Sequence, residues 1–189
     1  MCSVMWAYAL AESLLSGVLP RRWAHTQGVG ARARGLAPIV GERAALLESA
    51  AVLHDIGYAP RLAATGFHPL DGARYLRGHT AIDERIVRLV ANHSCALLEA
   101  EERGLRDELA SEFPLLDDAV LVDALVYCDM TTTPDGRRTT SAGRVDEIVG
   151  RYGADSVVGR FIRRAAPEIH ASVARIEALL PAPGRDRDG

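Results

Sequence analysis

The sequence predicts an all-α protein, built as a single bundle of about seven to nine helices. Three observations lead there. Apolar residues recur at helical spacing in one segment after another. Ala, Leu and Arg, all strong helix formers, dominate the composition. No alternating strand pattern persists anywhere along the chain.

The elements follow in order. Ser3 to Gly17 reads as a helix with apolar Met5, Leu10, Leu14 and Leu15, stopped by Gly17 and Pro20. A second helix starts near Pro20 and carries Trp23, His25 and Val29 toward Leu36, with Pro38 ending it. Glu42 to Ile56 is apolar on most sides and is therefore the expected central buried helix, with Gly57 as its C-terminal cap. A loop over 58–67 follows. Pro69 then sits at the start of a short helix reaching Leu76. Ile82 to His93 is the next helix, with Asp83 and Glu84 in its first turn complementing the dipole. Shorter pieces cover Ala96 to Arg103 and Leu105 to Leu109. Asp117 to Met130 is a second strongly apolar helix, closed by the turn cluster 131–136. Helices over 144–152 and 155–179 complete the bundle, the latter expected to kink at Pro167. Residues 1–180 read as one domain and 181–189 as a disordered tail.

Composition excludes several classes of function. The net charge of −3 argues against a broad nucleic-acid surface. Every basic side chain is Arg, so Schiff-base chemistry and lysine bases are ruled out. Any phosphate clamp must be a guanidinium, which suits two-pronged binding of an oxyanion. Cys2, Cys95 and Cys128 are odd in number and far apart, which fits a reducing cytosol and buried small hydrophobes better than disulfides. The segment 1–20 lacks a positive n-region and carries Glu12, making a poor signal peptide. No apolar run is long enough for a membrane span, so a cytoplasmic location is expected. Gly28-x-Gly30-x-x-Ala33 mimics a dinucleotide fingerprint, but no strand precedes it. Neither a G-x-S-x-G elbow nor a P-loop occurs.

The residues that demand explanation are histidines and aspartates at helix ends. His54-Asp55 closes the apolar run Ala-Ala-Val-Leu, where such a pair is costly unless charge-paired or metal-bound. His25 lies on the preceding helix. Asp129 ends the second buried helix in Ala-Leu-Val-Tyr-Cys-Asp. His68 stands at a helix start and His93 at a helix end. Imidazoles mixed with carboxylates suit Mn, Fe, Co, Ni or Zn better than Ca, as one or two divalent ions. His79 and His170 read as a surface loop and a surface helix position. Arg137-Arg138 follows a turn and reads as solvated.

This order of residues resembles the HD-domain superfamily of metal-dependent phosphohydrolases. LLESAAVLHDIGYAP is similar to its central helix and signature, FHPLDGARYL and VRLVANHS to the added histidine motifs of dimetal members, and YCDMTTTPDG to the distal Asp motif. The resemblance covers residues 20 to 140. It implies that His25, His54, Asp55 and Asp129 hold a metal, that His68 and His93 add ligands for a second, and that Asp55 bridges. It further implies hydrolysis of a phosphoester or phosphoanhydride, with Asp55, His68 and His93 as the catalytic group and a small phosphorylated molecule, preferably a nucleotide, as substrate. Many relatives carry Lys three residues after the Asp; Tyr58 stands there in this chain. Tyr58 with Arg22, Arg61 and Arg74 are therefore the expected substrate contacts. Two rival readings remain at this point. One is an HD-type mixed-valent di-iron oxygenase, although 15–24 offers it no Tyr or Glu. The other is a non-catalytic module sensing a nucleotide or binding a partner. The sequence leaves the oligomeric state open.

Overall fold

The computed structural model describes residues 3–79 and 82–181, so the expected tail over 181–189 lies, except for its first residue, outside the described residues. Eleven α-helices are present in these segments: α1 (Val4–Leu15), α2 (Pro20–Gly35), α3 (Ala37–Val40), α4 (Ala44–Leu53), α5 (His68–Arg77), α6 (Glu84–Asn92), α7 (Ala96–Arg103), α8 (Arg106–Glu112), α9 (Ala119–Met130), α10 (Ser141–Tyr152) and α11 (Val157–Leu179). Nine of them are eight residues or longer, with α3 and α8 the short ones. The described residues form no strand; Thr132 and Arg138 make one isolated antiparallel bridge. No helix is long and apolar enough to cross a membrane among the described residues.

Helix α4 is the hub. Leu46 through Leu53 are all buried, and α1, α2, α6 and α9 pack around them. Its one buried charge, Glu48, accepts hydrogen bonds from Arg34 and Tyr8. Burying Leu46, Leu47, Val52 and Leu53 stabilises the fold by about 1.5–3 kcal/mol each. A second, smaller core sits beyond the main one. Val126 and Met130 of α9 meet Val145 and Ile148 of α10 and Phe161, Ile162, Ala165 and Ile169 of α11. The last two helices thus form a hairpin docked on α9. Ser3, Asp83, Asp118, Thr140 and Ser156 cap their helices through side-chain oxygens, each worth about 1 kcal/mol.

Several boundaries differ from expectation for physical reasons. The helix expected over 42–56 starts as a 3₁₀ turn over Gly41–Arg43 and ends at Leu53, so His54 and Asp55 stand just beyond it. Gly57 is not its left-handed cap. It lies inside a 3₁₀ turn, Ile56–Tyr58, and serves as a point of close approach. A Cβ there would stand 2.0 Å from the His68 carbonyl oxygen and 2.7 Å from the Gly72 nitrogen. Pro38 does not simply end α2 but enters the short α3. His93 does not close α6; it opens a 3₁₀ turn in which Ser94 and Cys95 adopt positive φ. Helix α11 runs from Val157 to Leu179 with Pro167, an exposed position, inside it.

Gly28, in the segment that mimics a fingerprint, has a packing role. A Cβ on it would lie 2.5 Å from the Gly136 carbonyl oxygen. The bare backbone contact locks α2 against the turn after α9, which sets His25 beside Asp129.

Gly57→Ala should push α5 away from the His54-Asp55 corner. We expect a loss of about 1–3 kcal/mol from overpacking. Thermal unfolding of the variant should show a midpoint lowered by several degrees.

Candidate metal centre

The six expected ligand residues converge. The second turn of α2, the ends of α4 and α9, the start of α5 and the turn after α6 meet at one point, and five of the six side chains are buried, His68 being nearly so. His25 Nε2 lies 3.1 Å from Asp129 Oδ1 and 3.8 Å from Asp55 Oδ2. His54 Nε2 lies 3.3 Å from Asp55 Oδ2 and 3.9 Å from Asp129 Oδ1. His68 Nε2 lies 3.4 Å from Asp55 Oδ1 and 3.1 Å from His93 Nε2. Three overlapping groups arise, each with ligand atoms within 4.8 Å of one another: His25, His54 and Asp55; His54, His93 and Asp129; Asp55, His68 and His93.

The tautomers follow from backbone contacts. His25, His54 and His93 each set Nδ1 against a carbonyl oxygen, those of Thr133, Ala51 and Val90, at 3.0, 2.7 and 2.7 Å. A carbonyl only accepts, so each Nδ1 carries its proton and Nε2 is the ring nitrogen turned to the cluster. This is how protein metal ligands are commonly oriented. In a neutral ring that nitrogen is a lone pair, and at His25 Nε2 against Asp129 Oδ1 two acceptors then meet. His54 Nε2 is buried and has no hydrogen-bond partner. A cation at the centre resolves both features, and the N/O donor set fits a divalent transition ion.

The electrostatics agree. Burial opposes charge on Asp55, but Arg22, His54 and His68 outweigh it and hold its carboxyl well below the usual range. Burial likewise opposes charge on Asp129, and His25 and His54 overcome it. Burial pushes the His68 imidazole well below its ordinary value and lowers that of His93, whose neighbour His54 adds to the effect. Both rings are thus held neutral, as ligands must be. His54 is shifted the other way, because Asp55 and Asp129 outweigh its burial.

Around the ligands lies a supporting shell. Ser94 donates from its hydroxyl to Asp129 Oδ2 and does so from a left-handed backbone conformation. Arg22 donates to Asp55 Oδ2 at 2.7 Å. The Arg22 guanidinium also sits 3.9 Å from the Tyr58 ring centroid, and the opposite face of Tyr58 stacks on His68 at 3.9 Å. Tyr58 is therefore a spacer between a cation and a ligand ring.

A cleft opens over the cluster. Its walls include Arg22, Tyr58, Ser94, Glu99, Met130, Arg144, Arg151, Tyr152 and Phe161. Of the four expected substrate contacts, Arg22 and Tyr58 line it. Arg61 and Arg74 do not. Arg61 is exposed in its loop, and Arg74 pairs with Glu108 and Glu112. Arg74 follows His68 by six residues, which at about 100° per residue turns it to another face of α5. Arg137 and Arg138 are exposed and stand away from the cleft wall. His79 packs edge-on to Trp6 and Tyr75, and His170 Nδ1 lies 2.8 Å from the Ser141 hydroxyl; neither joins the cluster. Cys128 is buried and Cys95 half-buried, each thiol pushed up by burial, that of Cys95 to about 11.

Sequence reasoning missed Ser94, Glu99, Arg144, Arg151 and Tyr152. One signal was available. Arg144, Ile148 and Arg151 share a helix face at i, i+4 and i+7, so two arginines stand on a stripe that also has to pack.

Fold and site together define an all-α protein with a buried His/Asp cluster that could hold a metal ion. The chain belongs to the HD-domain family: the model of that domain matches residues 22–125, more than half of the chain. Asp129, α10 and α11 lie past the matched segment. Neither the curated proteins nor the solved structures give a match.

Ser94→Ala removes the hydroxyl that holds Asp129. We expect Mn²⁺ affinity to fall by about 10–100-fold, the usual effect of losing a ligand's outer partner. A competitive metal titration of the folded variant measures it.

Proposed function

We propose that this chain is a metal-dependent phosphohydrolase acting on a small phosphorylated molecule, with nucleotides the preferred class. The observation that carries the reading is the shared position of Asp55. One carboxylate faces His25 and His54 on one side and His68 and His93 on the other. His25, His54, Asp55 and Asp129 would hold one ion, and Asp55, His68 and His93 a second. Such ions supply charge neutralisation on phosphoryl oxygens and a more acidic water.

The chain's own residues supply the rest. Asp55 stays ionised in a buried site, so it can orient an attacking water; a carboxyl held this far below its usual range is a weak base, and the water's proton passes to solvent. Arg22, bonded to Asp55 Oδ2, fixes the rotamer of that carboxylate and leaves Oδ1 toward His68. The water oxygen bonds to phosphorus while the phosphorus–oxygen bond to the leaving group breaks. Met130, Ile148, Phe161 and Ile162 wall the cleft and keep bulk water away. The same apolar wall suits a nucleobase or another flat group. A cytoplasmic setting fits the free cysteines, and the small phosphorylated substrate is the one partner the reading requires.

A panel of nucleotides with Mn²⁺ tests the proposal. Phosphate release from at least one is expected, lost on chelation. Asp55→Asn should lower the rate by about 10²-fold or more, as for loss of the charged ligand shared by both ions, while His170→Ala leaves it unchanged. A panel that yields no phosphate counts against the reading.

A further inference from the structure

The cleft contains a buried cation that its ligands do not use. Arg144, on the fourth residue of α10, is 4% exposed. One terminal nitrogen donates to Glu147, one turn further along the same helix. Its Nε is buried and has no hydrogen-bond partner. A guanidinium keeps its charge at any ordinary pH, so a buried Nε–H without an acceptor is costly unless something else supplies one. Arg144 is held there by the packing of α10: Val145 and Ile148, beside it on the helix, belong to the smaller core.

The surroundings say what that acceptor is. Arg144 lines the metal cleft together with Arg22 and Arg151. The same three arginines also line a second cavity, bounded by Leu19, Pro20 and Pro134, that adjoins the first. Three guanidiniums thus stand where two cavities meet. All three carry a carboxylate partner: Arg22 bonds Asp55, and Arg144 and Arg151 share Glu147, the latter at 3.3 Å. Arg144 alone presents a buried donor, its Nε–H, without one. Against them stand the carboxylates of Asp55 and Asp129, which the metal ions would neutralise, and Glu99, which accepts from Arg103.

We propose that Arg144 is an anion-binding residue of the cleft, whose Nε–H donates to an oxygen of the substrate's phosphate, with Arg22 and Arg151 adding charge at the same junction. This rests on the phosphohydrolase reading for the nature of the anion. It assigns a substrate-binding role to α10, which lies past the matched HD segment, in a chain whose basic groups at such a site must be guanidiniums because it has no lysine.

Titration calorimetry of the metal-loaded protein with inorganic phosphate tests the proposal. Arg144→Gln should bind phosphate about tenfold more weakly or worse, the loss of one charge-assisted hydrogen bond. Metal content should stay that of the wild type. Glu147→Gln, which frees a second Arg144 donor, should bind phosphate as tightly or more so, and it keeps the test open should Arg144→Gln fail to fold. Unchanged affinity in folded Arg144→Gln, weaker binding in Glu147→Gln, or a wild type that binds no phosphate would overturn the assignment. The two readings separate cleanly. Phosphate binding that depends on Arg144 without any hydrolysis leaves the anion site standing and removes the enzyme. Hydrolysis that is indifferent to Arg144 does the reverse.

Discussion

The structure depends on one ionised carboxylate kept out of water. Asp55 is 2% exposed, and an isolated carboxylate in such a place would take a proton. It stays charged because Arg22 reaches it at 2.7 Å and imidazoles approach both of its oxygens. Every other feature of the centre serves that arrangement. Leu53 ends α4 so that His54 and Asp55 turn off the helix into the cluster. The bare backbone of Gly57 lets α5 come close enough to bring His68 alongside. Gly28 lets α2 meet the turn after α9, which puts the Thr133 carbonyl under His25. A buried charge of this kind is a poor source of stability, and its cost makes sense if it holds a cation.

Much of this was legible in the residues. Apolar segments such as Val-Leu before His54 and Ala-Leu-Val before Asp129 announced buried helices, and the pair His54-Asp55 at the end of one and Asp129 at the end of the other announced convergence. The structure bears out the all-α class, and the domain match bears out the family. What the residues did not reveal depends on non-local approach. Gly57 looked like a helix cap because glycine after a helix usually is one; its real constraint comes from a carbonyl eleven residues on in the chain. Arg74 looked well placed because it follows a ligand helix, but six residues of helical rotation turn it toward Glu108 and Glu112. Ser94 gave no warning at all, since a left-handed serine beside a ligand cannot be read from its neighbours.

The C-terminal hairpin is the part least visible beforehand and the part that shapes the cleft. Its cleft-side residues Val145, Ile148, Phe161 and Ile162 meet α9 in a small cluster of their own, while Val173 and Ile176 further along α11 join the main core. The six clustered His and Asp residues come from other elements, and α10 and α11 supply part of the cleft wall above them.

The most direct measurement is anomalous diffraction from crystals grown with Mn²⁺, recorded near the manganese edge. The account predicts strong peaks within coordination distance of an Asp55 carboxylate oxygen, flanked by His54 Nε2 and, for a second ion, by His68 Nε2. Crystals with no peak beside Asp55, or with manganese bound only by surface carboxylates, would contradict it.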